Sequence, residues 1–104
     1  MTELENLRDQ LRIFAAERGW HEFHSPKNLS MALSVEAAEL LEHFQWLTES
    51  QSMQLPPAAR EAVSHELADV LIYLLELCDV MGIDPIAAAM TKMVLNAQKH
   101  PVAK

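Results

Sequence analysis

The chain has 104 residues, half of them hydrophobic, and a formal net charge of −7; that length suits one domain spanning 1–104, with no room for separate cofactor and substrate domains. The negative charge, without any run of Lys or Arg, excludes a partner in polymeric nucleic acid, which needs a basic face to displace counterions. One cysteine, Cys78, excludes an intrachain disulfide framework and fits a reducing compartment, and no apolar run approaches the ~20 residues that span a bilayer, so the expected location is the cytoplasm, off the membrane.

The first residues, Met1-Thr2-Glu3-Leu4-Glu5, are acidic, unlike a secretory leader. Thr2 with Glu5 three positions on reads as a capping box. Leu4, Leu7, Leu11, Phe14 and Ala15 follow at helical spacing, so a first helix is expected over about 3–18, stopped by Gly19. Residues 19–27 read as a loop rich in rings: Trp20, His21, Phe23 and His24. Trp20 and Phe23 fit either a plug at one end of a bundle or a ligand-facing role. His21 has no evident partner and reads as a solvated loop residue. A second helix is expected over about 28–45, then a polar loop with Pro56-Pro57, then a third helix over about 58–81 closed by Gly82. Asp84-Pro85 supplies an N-cap and a first-turn proline for a fourth helix, about 85–99, ended by Pro101. No useful stretch alternates with period two. Four helices with short connections predict an all-α four-helix bundle. A domain this small is marginal by surface scaling, so pairing with copies of itself is expected.

Helix two contains Glu36-Ala37-Ala38-Glu39-Leu40-Leu41, and helix three contains Glu66-Leu67-Ala68-Asp69-Val70-Leu71. In each, an acid pair at i and i+3 precedes two aliphatics, and a polar ring, His43 or Tyr73, stands seven residues after the first acid. At about 100° per residue, Glu66 falls inside the apolar arc formed by Leu77, Val70, Val63, Met81, Ala62 and Val80. Glu36 falls among Leu29, Leu40, Leu33 and Ala32. Glu39 and Asp69 sit at the edges of these arcs. An ionised carboxylate on a core face must be paired, bind a metal or become neutral. The best internal cations, Lys92 and Lys99, are too few to balance four acids. A divalent ion balances them best. If instead the helices are rotated, the acids merely face solvent.

The candidate ligands are all oxygens, which suit Mg²⁺, Mn²⁺ or Ca²⁺. Zinc prefers His and Cys, and Cys78 has no C-x-x-C neighbour. A ferritin-like di-iron site uses Glu-x-x-His on two helices, a spacing that neither acidic helix has. Mg²⁺ shares its coordination with substrate phosphates, which points to phosphate chemistry.

The pattern of E-x-x-E, residues 40–65, then E-x-x-D resembles the all-α nucleoside triphosphate pyrophosphohydrolases of the MazG type. Phe14 to Arg18, Trp20, Phe23-His24, Pro26, Asn28-Leu29, Phe44 to Trp46, Asp69 to Leu74, Lys92-Met93 and Asn96 are similar to the dCTP pyrophosphatase branch. The likeness covers about residues 10–101. It implies cleavage between the α and β phosphates, giving a nucleoside monophosphate and pyrophosphate. It also implies a need for Mg²⁺, with Mn²⁺ as the substitute, and assembly as a homodimer or homotetramer. Residue by residue, it makes Glu36, Glu39, Glu66 and Asp69 the metal ligands. It assigns Trp20, His24 and Trp46 to the nucleoside pocket, Tyr73, Lys92 and Asn96 to the triphosphate or sugar, and Asn28 to substrate binding, with Lys99 in the place of a substrate-binding basic residue shortly before a proline. The substrate implied is a pyrimidine such as dCTP or a modified dCTP. The branch carries a polar residue where this chain has Leu11.

On that reading a metal-activated water attacks the α phosphorus and pyrophosphate leaves. Glu39, at the edge of its stripe, is the candidate to orient or deprotonate the water. Lys92 and Lys99 would neutralise the leaving group, although a cation near a helix C-terminus is also ordinary through the helix dipole alone. The rival is a non-catalytic oligomerisation or regulatory module whose acids pair with lysines across an interface.

Overall fold

The computed structural model describes residues 1–103. Those residues form α1 (Glu3–Glu17), a 3-10 turn η1 (His21–Phe23), α2 (Pro26–Glu42), α3 (Glu49–Ser52), α4 (Pro57–Met81) and α5 (Pro85–Lys99), with no strand among them. The all-α expectation holds, and local chemistry sets the helix ends.

At the start of α1 the Thr2 hydroxyl oxygen accepts from the Glu5 amide at 3.1 Å. The Glu5 carboxylate accepts from that same hydroxyl at 3.0 Å instead of returning to the Thr2 amide, so only half of the expected capping box forms. Gly19 closes α1 at φ 63°, a left-handed conformation open to glycine at little cost. Around it the Trp20 amide donates to the Ala15 carbonyl and the Gly19 amide to that of Ala16, which satisfies two orphan carbonyls. Helix α2 starts two residues earlier than expected. Ser25 Oγ accepts from the Asn28 amide at 3.1 Å, and Pro26 occupies the first turn, where its missing N–H costs nothing. It also ends earlier, as residues 43–46 run through turns.

The one-turn α3 is absent from the sequence expectation because a single turn is too short for periodicity to register. Its signal was a capping box. Thr48 Oγ1 accepts from the Gln51 amide at 3.1 Å and Gln51 Oε1 from the Thr48 amide at 2.9 Å. Helices α4 and α5 match expectation to within a residue; Asp84 Oδ1 caps α5 by accepting from the Ile86 and Ala87 amides.

Helix α2 packs along α4, and α1 crosses α4 more lightly. The buried core is Ala15 from α1, Leu29 from α2, and Val63 and Leu75 from α4. Helix α5 stands off: every residue of the helix after Pro85 is exposed and it makes little contact with the others. The radius of gyration, 16.8 Å, exceeds the roughly 13 Å of a compact chain this long. Ile86, Met90, Met93 and Val94 leave an apolar stripe of α5 uncovered, each about 60% exposed. Among the described residues no helix is long and apolar enough to cross a membrane.

Candidate metal centre

The best-packed helix pair carries the acids. Glu36 and Glu39 project from α2 toward Glu66 on α4, and one carboxylate oxygen from each lies within 4.8 Å of the other two. Glu36 Oε2 and Glu66 Oε2 are shut off from solvent with no hydrogen-bond partner. A buried polar atom left without a partner carries its full desolvation penalty. Among the described residues the ion-pair cations are Arg8, Arg12, Arg18, His24 and His65, and none of them pairs with these acids. The inward orientation read from helical angle is therefore what the fold adopts, and among the described residues these acids have no counter-ion.

The electrostatics follow from this crowding. Burial is the largest cause that pushes the Glu36 carboxyl up to about 7. The nearness of the Glu66 and Glu39 carboxylates, which favours a proton on Glu36, adds to the rise, as does repulsion from Glu39 and Asp69. Asp69 lies outside the tight group of three but within reach of its charge. Burial also raises the Tyr73 hydroxyl, and Glu36, Glu76, Asp69 and Glu39 each raise it further. Three converging oxygen donors and two orphaned oxygens, with no cation paired to them among the described residues, fit a hard divalent ion.

The remaining expected site residues are spread more widely. His24 is partly buried, with Nε2 3.9 Å from Glu76 Oε2. Trp20 meets Phe14 edge to face at 5.6 Å, and the Arg18 guanidinium stacks 3.5 Å from the centre of the Phe14 ring. Asn28 is held locally, its side-chain amide donating to the Phe23 carbonyl at 2.9 Å. Trp46 is 87% exposed in the turn after α2. Lys92, Asn96 and Lys99 lie exposed on α5. The single chain thus gathers the acids, with Tyr73 in range of their charge, and leaves the α5 residues and Trp46 apart.

Two features escaped the sequence reading. The Arg12 guanidinium clamps the Asp79 carboxylate through two bonds, one of them Nε to Oδ2 at 2.8 Å. That clamp holds Asp79 below the ordinary carboxylate range, and it links residues distant in sequence that no local pattern pairs. Glu76 is the second: its side chain is largely buried on α4, with Oε2 closed to solvent and unpartnered. Its signal was its place seven residues after Asp69, on the same helical stripe. His21 also needs correction. It is exposed as expected, yet its ring nitrogen Nε2 lies 3.2 Å from the Arg12 carbonyl, because η1 folds the ring back over α1.

Fold and site together define an all-α protein whose facing helices bring carboxylates together in a group that could hold a metal ion. A profile of the MazG-like family matches residues 31–104, and the chain belongs to that family. It is 46% identical over 101 residues, 95% of its length, to dCTP pyrophosphatase 1 of Mus musculus. Over 100 residues it is 42% identical to dCTP pyrophosphatase 1 of Homo sapiens. The chain spans 59% of the length of each of these relatives. The crystal structure of a pyrophosphatase from Archaeoglobus fulgidus DSM 4304 superimposes with a TM-score of 0.92 at 46% identity, covering 98% of this chain and 95% of that one.

Proposed function

We infer that this protein is a Mg²⁺-dependent nucleoside triphosphate pyrophosphohydrolase, with Mn²⁺ as a substitute ion. It acts on a pyrimidine nucleotide such as dCTP or a modified dCTP, and clears it from the nucleotide pool in the cytoplasm. The observation that carries this reading is the inward carboxylate cluster with its orphaned oxygens. Its relatives and its structural neighbour are pyrophosphatases, which supports the reaction.

Glu36, Glu39, Glu66 and Asp69 would hold the cation. Bound there, Mg²⁺ supplies positive charge to the phosphate oxygens and acidity to a coordinated water. Glu39 orients the attacking water and accepts its proton. The oxygen bonds to the α phosphorus, the bond from that phosphorus to the bridging oxygen breaks, and pyrophosphate leaves with the electron pair. Tyr73, near the same acids, contacts the sugar or triphosphate. Trp20, His24, Asn28 and Trp46 shape the nucleoside pocket, with tryptophan offering a flat stacking face. Lys92, Asn96 and Lys99 reach the triphosphate once α5 is covered.

A second copy of the chain is the proposed cover for α5, as homodimer or homotetramer. The exposed stripe of Ile86, Met90, Met93 and Val94 and the expanded shape support it. Light scattering should return two or four chains; a monomer at micromolar concentration refutes the assembly. For the reaction, the protein is incubated with Mg²⁺ and each (d)NTP. Monophosphate and pyrophosphate are expected in equal amounts, and both should vanish in Glu36→Gln and Glu66→Gln variants that stay folded. Orthophosphate as the only inorganic product would sink the α–β cleavage. Absence of turnover with every nucleotide favours the non-catalytic module.

A further inference from the structure

Glu76 lies inward on α4 but outside the acid cluster. It follows Asp69 by seven residues and Tyr73 by three, so the three side chains share one stripe of the helix. At 1.5 Å of rise per residue it stands about 10 Å along α4 from Asp69. Tyr73 lies between, within range of Glu36, Asp69 and Glu39 on one side and Glu76 on the other. The stripe thus runs from the candidate metal centre to a second acidic position, a span suited to a nucleotide laid from its α phosphate to the far edge of its base.

One oxygen of Glu76 has no hydrogen-bond partner. Its side chain is 13% exposed, and Oε2 is closed to solvent without a hydrogen-bond partner. His24 Nε2, at 3.9 Å, is beyond hydrogen-bond range. Arg12 is committed to Asp79, and the His21 ring nitrogen to the Arg12 carbonyl. A cavity of about 30 Å³ adjoins Glu76, walled also by Leu11, Leu75, Arg8, Arg12, His21 and His24. That is room for one water-sized group. A carboxylate oxygen in such a place accepts only, so a donor group of that size completes it.

We propose that Glu76 reads the base of the nucleotide, its unpartnered oxygen accepting a hydrogen bond from an exocyclic amine and so favouring a 4-aminopyrimidine over a 4-oxopyrimidine. The proposal rests on the nucleotide-hydrolysis reading above. A 4-amino group presents N–H to the carboxylate, whereas a 4-oxo group presents a second acceptor. Two acceptors face to face leave both buried oxygens unpaired, a mismatch that polar sites reject strongly.

The test is the ratio of kcat/KM for dCTP to that for dUTP, with Mg²⁺, in the parent, Glu76→Gln and Glu76→Asp. The parent should favour dCTP at least tenfold. Glu76→Gln carries an amide that can donate to a 4-oxo group, and should narrow the ratio by about tenfold or more, the scale of a hydrogen bond to a charged group. Glu76→Asp keeps the charge but withdraws it by one methylene, and should narrow the ratio too. If Glu76→Gln fails to fold, the Asp variant carries the test. Calorimetric binding of dCMP and dUMP should show the same loss of preference without turnover. A parent indifferent to the two bases, or folded variants that keep the parental ratio, would overturn the assignment while leaving the hydrolase reading intact. A parent that neither binds nor turns over any nucleotide overturns both.

Discussion

Glu36 should release a proton when the cluster takes up a divalent ion. Its carboxyl is pushed up to about 7, and a ligating carboxylate must be deprotonated. By simple titration it is about nine-tenths protonated at pH 6 and about one-tenth at pH 8. Binding one ion should therefore expel about 0.9 proton at pH 6 and about 0.1 at pH 8, and apparent affinity should rise about tenfold between the two. Mn²⁺ titration calorimetry in two buffers of different ionisation enthalpy counts those protons directly. Glu36→Gln should both weaken binding and remove the proton step. A proton count that stays flat across this range with binding intact would refute Glu36 as the titrating ligand. Undiminished affinity in Glu36→Gln would refute the cluster as the site.

The same raised group sets the sign of apo stability. Glu36 binds its proton more tightly folded than at its ordinary value of 4.5, so its stabilising contribution is full below about that pH and is lost as pH rises through about 7. Metal-free protein should melt higher near pH 5 than near pH 8, and Mg²⁺ should recover the loss at the higher pH; a melting temperature rising across that window contradicts the account. Asp79 works the other way, its contribution present above the ordinary 3.8 and lost as pH falls through its depressed folded value. Leu29→Ala should cost about 2–5 kcal/mol in urea unfolding, since Leu29 is 2% exposed between α2 and α4; a loss under about 1 kcal/mol would mean the pair does not pack as described. Arg12→Lys should lower the urea midpoint slightly and Arg12→Ala more, because an ammonium cannot reproduce the two-bond clamp on Asp79; equal midpoints for both variants and the parent would show that the clamp adds nothing.

The sequence alone determined the four longer helices and the inward direction of Glu36 and Glu66. Both are readable because helical period, caps and prolines act within a few residues. Glu36 and Glu66 fell inside apolar arcs, and the structure places an oxygen of each out of solvent. It also carried enough of the family's residues to bring the family into view. What only tertiary structure decided involves partners remote in sequence. Asp69 stands slightly outside the group of three because that group is set by how α2 and α4 pack, not by spacing along α4. The Arg12–Asp79 clamp and the return of His21 onto Arg12 arise from α1 and η1 meeting α4. Helix α5 reads from its sequence as one more member of a bundle, yet in the single chain it stands apart, because periodicity records that a face is apolar and not which surface will cover it. Glu76 unites the two levels. Its stripe was written in the sequence, but its missing hydrogen-bond partner became visible only once the neighbouring helices had closed around it.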